Sequence, residues 1–139
     1  MTAINTHDEI ELAKLPIVRI QDVLLGRMIA REEAARLGFG PHALTQIATA
    51  VSEIARNVVQ HAGGGGQIRV FRTSDAGRFG LKIAVEDAGA GIADIDRALA
   101  GTSPGAGIPG ARRLMDEFTI GSNAGAGTTV TMVKWLPGD

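Results

Sequence analysis

Glu53, Asn57 and His61 stand four residues apart in "SEIARNVVQHA". Four residues slightly exceed one helical turn, so on a helix these side chains form a stripe that drifts toward the apolar side. Glu53 then lies nearest solvent, with Asn57 and His61 closer to the buried boundary. An amide oxygen in that position is a hard ligand suited to Mg²⁺, and a carboxylate one turn away can accept a proton or orient a nucleophile. The same residues would also make an ordinary solvated helix face. A second group is "VEDAGAGI", where Asp87 closes an apolar run and Gly89, Gly91 and Ile92 follow. The aspartate is a fixed acceptor. The glycines let the main chain approach a flat, donor-bearing molecule, or simply make a tight turn.

A third group is "GAGIPG", from Gly105 through Ala106, Gly107 and Ile108 to Gly110. It matches G-x-G-x-x-G in letters, but a dinucleotide fingerprint needs a strand immediately before it. Ser103 and Pro104 break any such strand, so that reading is rejected. A glycine loop running into a helix still offers backbone N–H groups to anions. Phosphate binding therefore stands beside the plainer reading of a flexible loop and a helix start. His7, His42 and His61 show no metal-ligand spacing. A nucleophilic elbow and cysteine are both missing. His61 reads as a capping or packing residue at a helix end.

The elements that must position these groups follow from pattern. The 139 residues suit one domain with one core, and the 45% hydrophobic fraction is enough to fill it. Residues 8–20 read as an extended segment, with Pro16 placing it at a sheet edge. A helix is expected from about Asp22 to a stop at Gly38. A second opens at Pro41, with Leu44, Ile47, Val51, Ile54 and Val58 recurring every three or four residues. "QIRVFRT" and "LKIAVED" alternate as strands about a hairpin loop "SDAGRFG". A short helix over 93–100 and a glycine-rich loop over 101–107 come next. "IPGARRLMDEF" reads as helical, with Pro109 tolerated near its start. "FTIGS" and "TTVTMVKW" form a final hairpin. The expected fold is α+β, a two-layer sandwich with a mixed, mainly antiparallel sheet and helices on one face. No linker or repeat divides the chain, so residues 1–139 are expected to be a single domain.

Charge excludes some functions. A formal net charge of −1 supplies no basic field for nucleic acid and no polybasic membrane patch. No apolar stretch is long enough to span a bilayer, and "MTAINTHDEIE" is unlike a secretory signal. A cytoplasmic location is expected, and neither nucleic acid nor membrane is an expected partner.

Taken in order, Glu53-x-x-x-Asn57, Asp87-x-Gly89-x-Gly91, Gly105-x-Gly107 and Gly127-Thr128 resemble the boxes of the GHKL (Bergerat-fold) ATPase superfamily. The resemblance runs from about residue 17 through nearly the whole chain. "SEIARN", "GAGIPGARRLMDEF" and "GTTVTMVKWL" narrow it to the anti-sigma-type serine/threonine kinases, and within them to RsbT-type switch kinases. The resemblance implies ATP and Mg²⁺ as cofactors. Asp87 would accept from the adenine amino group, Thr128 would complete that contact, and Gly89, Gly91 and Ile92 would line the base and ribose. Asn57 would hold Mg²⁺, Glu53 would be the base, and Gly105, Ala106, Gly107 and Ile108 would cover the phosphates. Arg112 or Arg113 would neutralise phosphate charge, or both would lie on a solvated basic face. The lid segment "RALAGTSP" is shorter than the serine- and glycine-rich lid of such kinases. The implied substrate is a STAS-domain antagonist, and a PP2C-type phosphatase is an implied second partner. The alternative is an anti-sigma factor, or a nucleotide-dependent binding module that holds a sigma factor or phosphatase without turnover.

Overall fold

The computed structural model describes residues 7–61, 65–87, 108–123 and 127–138. The described elements run β1 (His7–Ile17), α1 (Ile20–Leu37), α2 (Pro41–His61), β2 (Gly66–Asp75), β3 (Arg78–Asp87), α3 (Ile108–Leu114), β4 (Glu117–Asn123) and β5 (Gly127–Trp135). The five strands make one sheet in the order β1-β2-β3-β5-β4, and every neighbouring pair is antiparallel. Pro16 does lie on an edge strand, where its missing N–H costs no interior ladder bond.

Register stacks the sheet into rows. Leu15, Ile68, Val85, Val130 and Ile120 face one another across all five strands, and Val70, Ile83, Met132 and Phe118 form the next row. These side chains point to the same face because strand side chains alternate. They merge with Val23, Ala30 and Ala34 of α1 and with Leu44, Ile47, Val51, Ile54 and Val58 of α2 into one core. The helices therefore cover that face. The opposite face carries Gln67, Arg69, Phe71, Lys82 and Glu86.

Helix ends follow local chemistry. Asp22 Oδ2 accepts the N–H groups of Val18 and Arg19, both at 2.9 Å, so α1 begins two residues before the expected Asp22. Gly38 ends it with φ 105°. Pro41 is the first residue of α2, as its spacing predicts.

Two expectations are corrected. The "SDAGRFG" loop shrinks to Ala76 and Gly77, with φ of 52° and 84°. Positive φ at both central residues is the tight turn that matches strand twist, so pairing continues to Asp75 and Arg78. The helix expected through Phe118 ends at Leu114. Asp116 donates its N–H to Val133 O at 2.9 Å and accepts the Trp135 N–H at 2.7 Å, which draws the chain into the sheet.

Candidate functional site

At one end of the helix-facing side, the apolar rows give way to a different one: Ile17, Gly66, Asp87, Thr128 and Ser122. Asp87 and Thr128 are thus direct cross-strand partners, although 41 positions separate them in sequence. Antiparallel partners of this kind stand about 5 Å apart at Cα. Thr128 is buried. An acceptor and a hydroxyl held side by side on rigid strands suit the reading of a donor-bearing ring.

Gly66, on the other side of Asp87, is the site residue that sequence reasoning missed. A Cβ at this position would run into Glu86 O and lie 3.0 Å from Asp87 Cα. Only glycine lets β2 approach that closely without moving Asp87. The signal was present in the run "GGGG", but four identical residues do not say which one is tightly packed.

α2 brings the second group. Glu53 is one-third exposed, and its Oε1 lies 3.3 Å from Arg56 Nη1. Asn57, one turn on, is half-buried, and its Nδ2 is buried with no hydrogen-bond partner. Leaving such a group unpaired costs about 1–3 kcal/mol, so it marks a place where packing was not optimised for the empty protein. Five residue steps join His61 to Gly66, which limits the gap between α2 and the Asp87 row to about 17 Å. α2 also packs against α3, whose first residue, Ile108, is buried. Gly110 stays within α3, where a Cβ would meet nothing. Arg112 and Arg113 are exposed in its last turn.

The donor set fits Mg²⁺. Rotation about χ2 of Asn57 exchanges its amide oxygen and nitrogen, so the buried end can present an oxygen to a hard cation. Among the described residues no group of three or more His, Cys, Asp or Glu could hold a metal. Gly89, Gly91, Ile92, Gly105, Ala106 and Gly107 lie outside the described residues, as do the expected helix over 93–100 and the short lid.

No described helix is long and apolar enough to cross a membrane. The family model of the histidine kinase-like ATPase domain matches residues 19–134. Serine/threonine-protein kinase RsbT of Bacillus subtilis (strain 168) is 46% identical over 120 residues, covering 83% of this chain and 90% of that protein. The anti-sigma F factor of Thermoanaerobacter sp. (strain X514) is 33% identical over 129 residues, covering 86% and 89%. Among solved structures, the RsbU and RsbW domains of Rv1364c from Mycobacterium tuberculosis match with a TM-score of 0.63 at 21% identity, over 91% of this chain and 34% of theirs. The histidine kinase domain of the Erythrobacter litoralis EL346 blue-light activated kinase matches with a TM-score of 0.54 at 20% identity, over 96% and 65%. The chain spans about a third and just under two thirds of those two solved chains, and at such identities the likeness shows the fold alone. The fold, the ordered boxes and the matched span agree: the chain belongs to the histidine kinase-like ATPase domain family, on the branch that holds the RsbT-type serine/threonine-protein kinases.

Proposed function

We propose that this protein uses Mg·ATP to phosphorylate a serine or threonine of a small STAS-domain antagonist in a partner-switching pathway. We further propose that, once released, it binds and activates a PP2C-type phosphatase. The observation that carries the reading is the unpaired, buried amide of Asn57 one turn from the partly exposed carboxylate of Glu53. Similarity to the RsbT kinase and to an anti-sigma F factor supports the partner-switching setting.

Each residue has a separate task. Asp87 accepts from the exocyclic amine of adenine and disfavours guanine, which has a carbonyl at that position. Thr128 supplies a neighbouring hydroxyl. Asn57 would hold Mg²⁺, and the bound ion would neutralise charge on the phosphates. Glu53 takes the proton of the acceptor hydroxyl as its oxygen bonds to the γ-phosphorus. The bond from that phosphorus to the ADP oxygen breaks, leaving ADP and a phosphorylated partner. Partial exposure suits Glu53 to this role, since a second protein must reach it.

The test is phosphate incorporation into purified STAS-domain proteins with Mg·ATP, read by intact mass, with Mg·GTP as control. A shift of one phosphate with ATP and none with GTP is expected. Nucleotide and partner binding without transfer would establish the binding module instead.

A further inference from the structure

In the row Ile17, Gly66, Asp87, Thr128, a residue without a side chain stands directly beside the aspartate. Glycine elsewhere in the molecule makes room for packed side chains. A Cβ at Gly26 would meet the Ile68 side chain, and one at Gly80 would meet the Trp135 ring together with Lys134 O. Gly66 is different. The three atoms nearest to its missing Cβ all belong to the main chain of Glu86 and Asp87. What this glycine controls is therefore the spacing of β2 and β3 at the Asp87 end.

A side chain at this position has nowhere to go on the β2 side. β2 is backed by β1, where Ile17, the register partner of Gly66, is fully buried in the core. Gly65 is closed in on that side as well: a Cβ on it would lie 3.0 Å from Ile17 O and 3.1 Å from Val18 Cγ2. The next register pair is tied together on the open face, where Gln67 Nε2 donates to Glu86 Oε1 at 3.0 Å. β2 cannot retreat, so relief comes from the end of β3, whose last residue is Asp87. A shift there moves the carboxylate away from Thr128, its partner on β5.

We propose that Gly66 is a positioning residue for Asp87 and sets the preference for adenine over guanine: without a side chain, it lets β2 and β3 close to the spacing that holds the carboxylate beside Thr128. This rests on the nucleotide reading above and adds to it the residue that fixes the acceptor in place.

Full-length wild type, Gly66→Ala and Gly65→Ala are titrated by calorimetry with Mg·ATP and Mg·GTP, well below their melting temperatures. For Gly66→Ala, ATP affinity falls about tenfold, the scale of one hydrogen bond to a charged acceptor. GTP gains nothing from that acceptor, so its affinity is unchanged and the preference shrinks by the same factor. Gly65→Ala is the control for damage to the same corner. Its φ of 75° strains any other residue, so this variant melts lower but keeps the wild-type ratio of ATP to GTP affinity. A Gly66→Ala protein that melts lower and keeps the wild-type ratio makes the glycine purely structural and overturns the proposal. So does a Gly65→Ala protein that loses the ratio to the same extent, because general loosening then explains both. If Gly66→Ala does not fold, wild type decides through its amide proton–nitrogen correlation spectrum. The Gly66 signal shifts with adenosine and stays in place with inorganic triphosphate; a signal that adenosine leaves unmoved overturns the proposal. Wild type that binds ATP and GTP equally removes the reading of Asp87 and the proposal with it. Wild type that prefers ATP, beside a Gly66→Ala variant with the same preference, defeats the proposal alone.

Discussion

The two faces of the sheet treat polar groups in opposite ways. On the open face, charges answer one another: Lys82 Nζ lies 2.9 and 2.8 Å from the two oxygens of Glu9, Arg69 Nε lies 2.9 Å from Glu11, and Gln67 donates to Glu86 at 3.0 Å. Arg69 and Lys82 also cover the ring of Phe71, at 4.9 and 5.2 Å from its centre. The Thr73 hydroxyl is buried there without a partner, and we have no physical account of it. On the helix side, the polar groups are few and sit at the ends of apolar rows, and Asn57 keeps a buried nitrogen unpaired. Matched charges over a sheet hold strands in register. An unmatched buried amide nitrogen is costly unless something binds.

The strongest way to break this contrast is at Glu53. Glu53→Ala should reduce phosphate transfer by about 10²–10⁴-fold, the range for loss of a general base, with ATP affinity nearly intact. Asn57→Ala should instead weaken Mg·ATP binding and transfer together. It should leave the ligand-free melting temperature unchanged or raised, because it removes an unpaired buried group. A ligand-free Asn57→Ala protein that melts well below wild type would show that the amide serves the fold.

Asp87→Asn gives an intermediate effect. Loss of a charged acceptor should cost about 1–3 kcal/mol of ATP binding and narrow the preference over GTP. Calorimetry with both nucleotides measures this, and equal affinities in wild type would remove Asp87 from base recognition.

The smallest effect belongs to the open face. The hydrogen bond from Arg69 holds the Glu11 carboxyl there below the usual carboxylate range, and away from that face, in the first turn of α1, backbone N–H groups of Arg19 and Val18 do the same for Asp22. Both folded values are depressed, so their contribution is complete above the ordinary carboxylate range, about pH 4, and fades as pH falls through the folded values. Glu11→Gln should flatten the acid limb of a melting-temperature profile slightly and leave nucleotide affinity alone. A changed affinity would mean that the two faces are coupled.

Much of the fold could be read without coordinates where a local rule coincided with the tertiary outcome. α2 was legible because its apolar spacing is the core contact itself, and β1 because Pro16 suits only an edge. The end of α3 was not. "LMDEF" contains good helix formers and no breaker, and what stops the helix is Asp116 bonding to a strand made later in the chain. The site divides likewise. Glu53 and Asn57 are joined by a helical turn, which spacing reveals. The pairing of Asp87 with Thr128 and the close approach of Gly66 depend on strand register, which no short window contains.

The strand order has a consequence for synthesis on the ribosome. β5 is made after β4 yet lies between β3 and β4, so until it emerges β3 presents an open edge and β4 has no place in the sheet. Thr128 arrives on that same strand. A nascent chain lacking β5 therefore has neither the Asp87–Thr128 pair nor the strand to which Asp116 bonds after α3, and acquires both in one insertion event. Chaperone demand should peak just before β5 leaves the exit tunnel, and nucleotide should begin to stabilise the chain only afterwards.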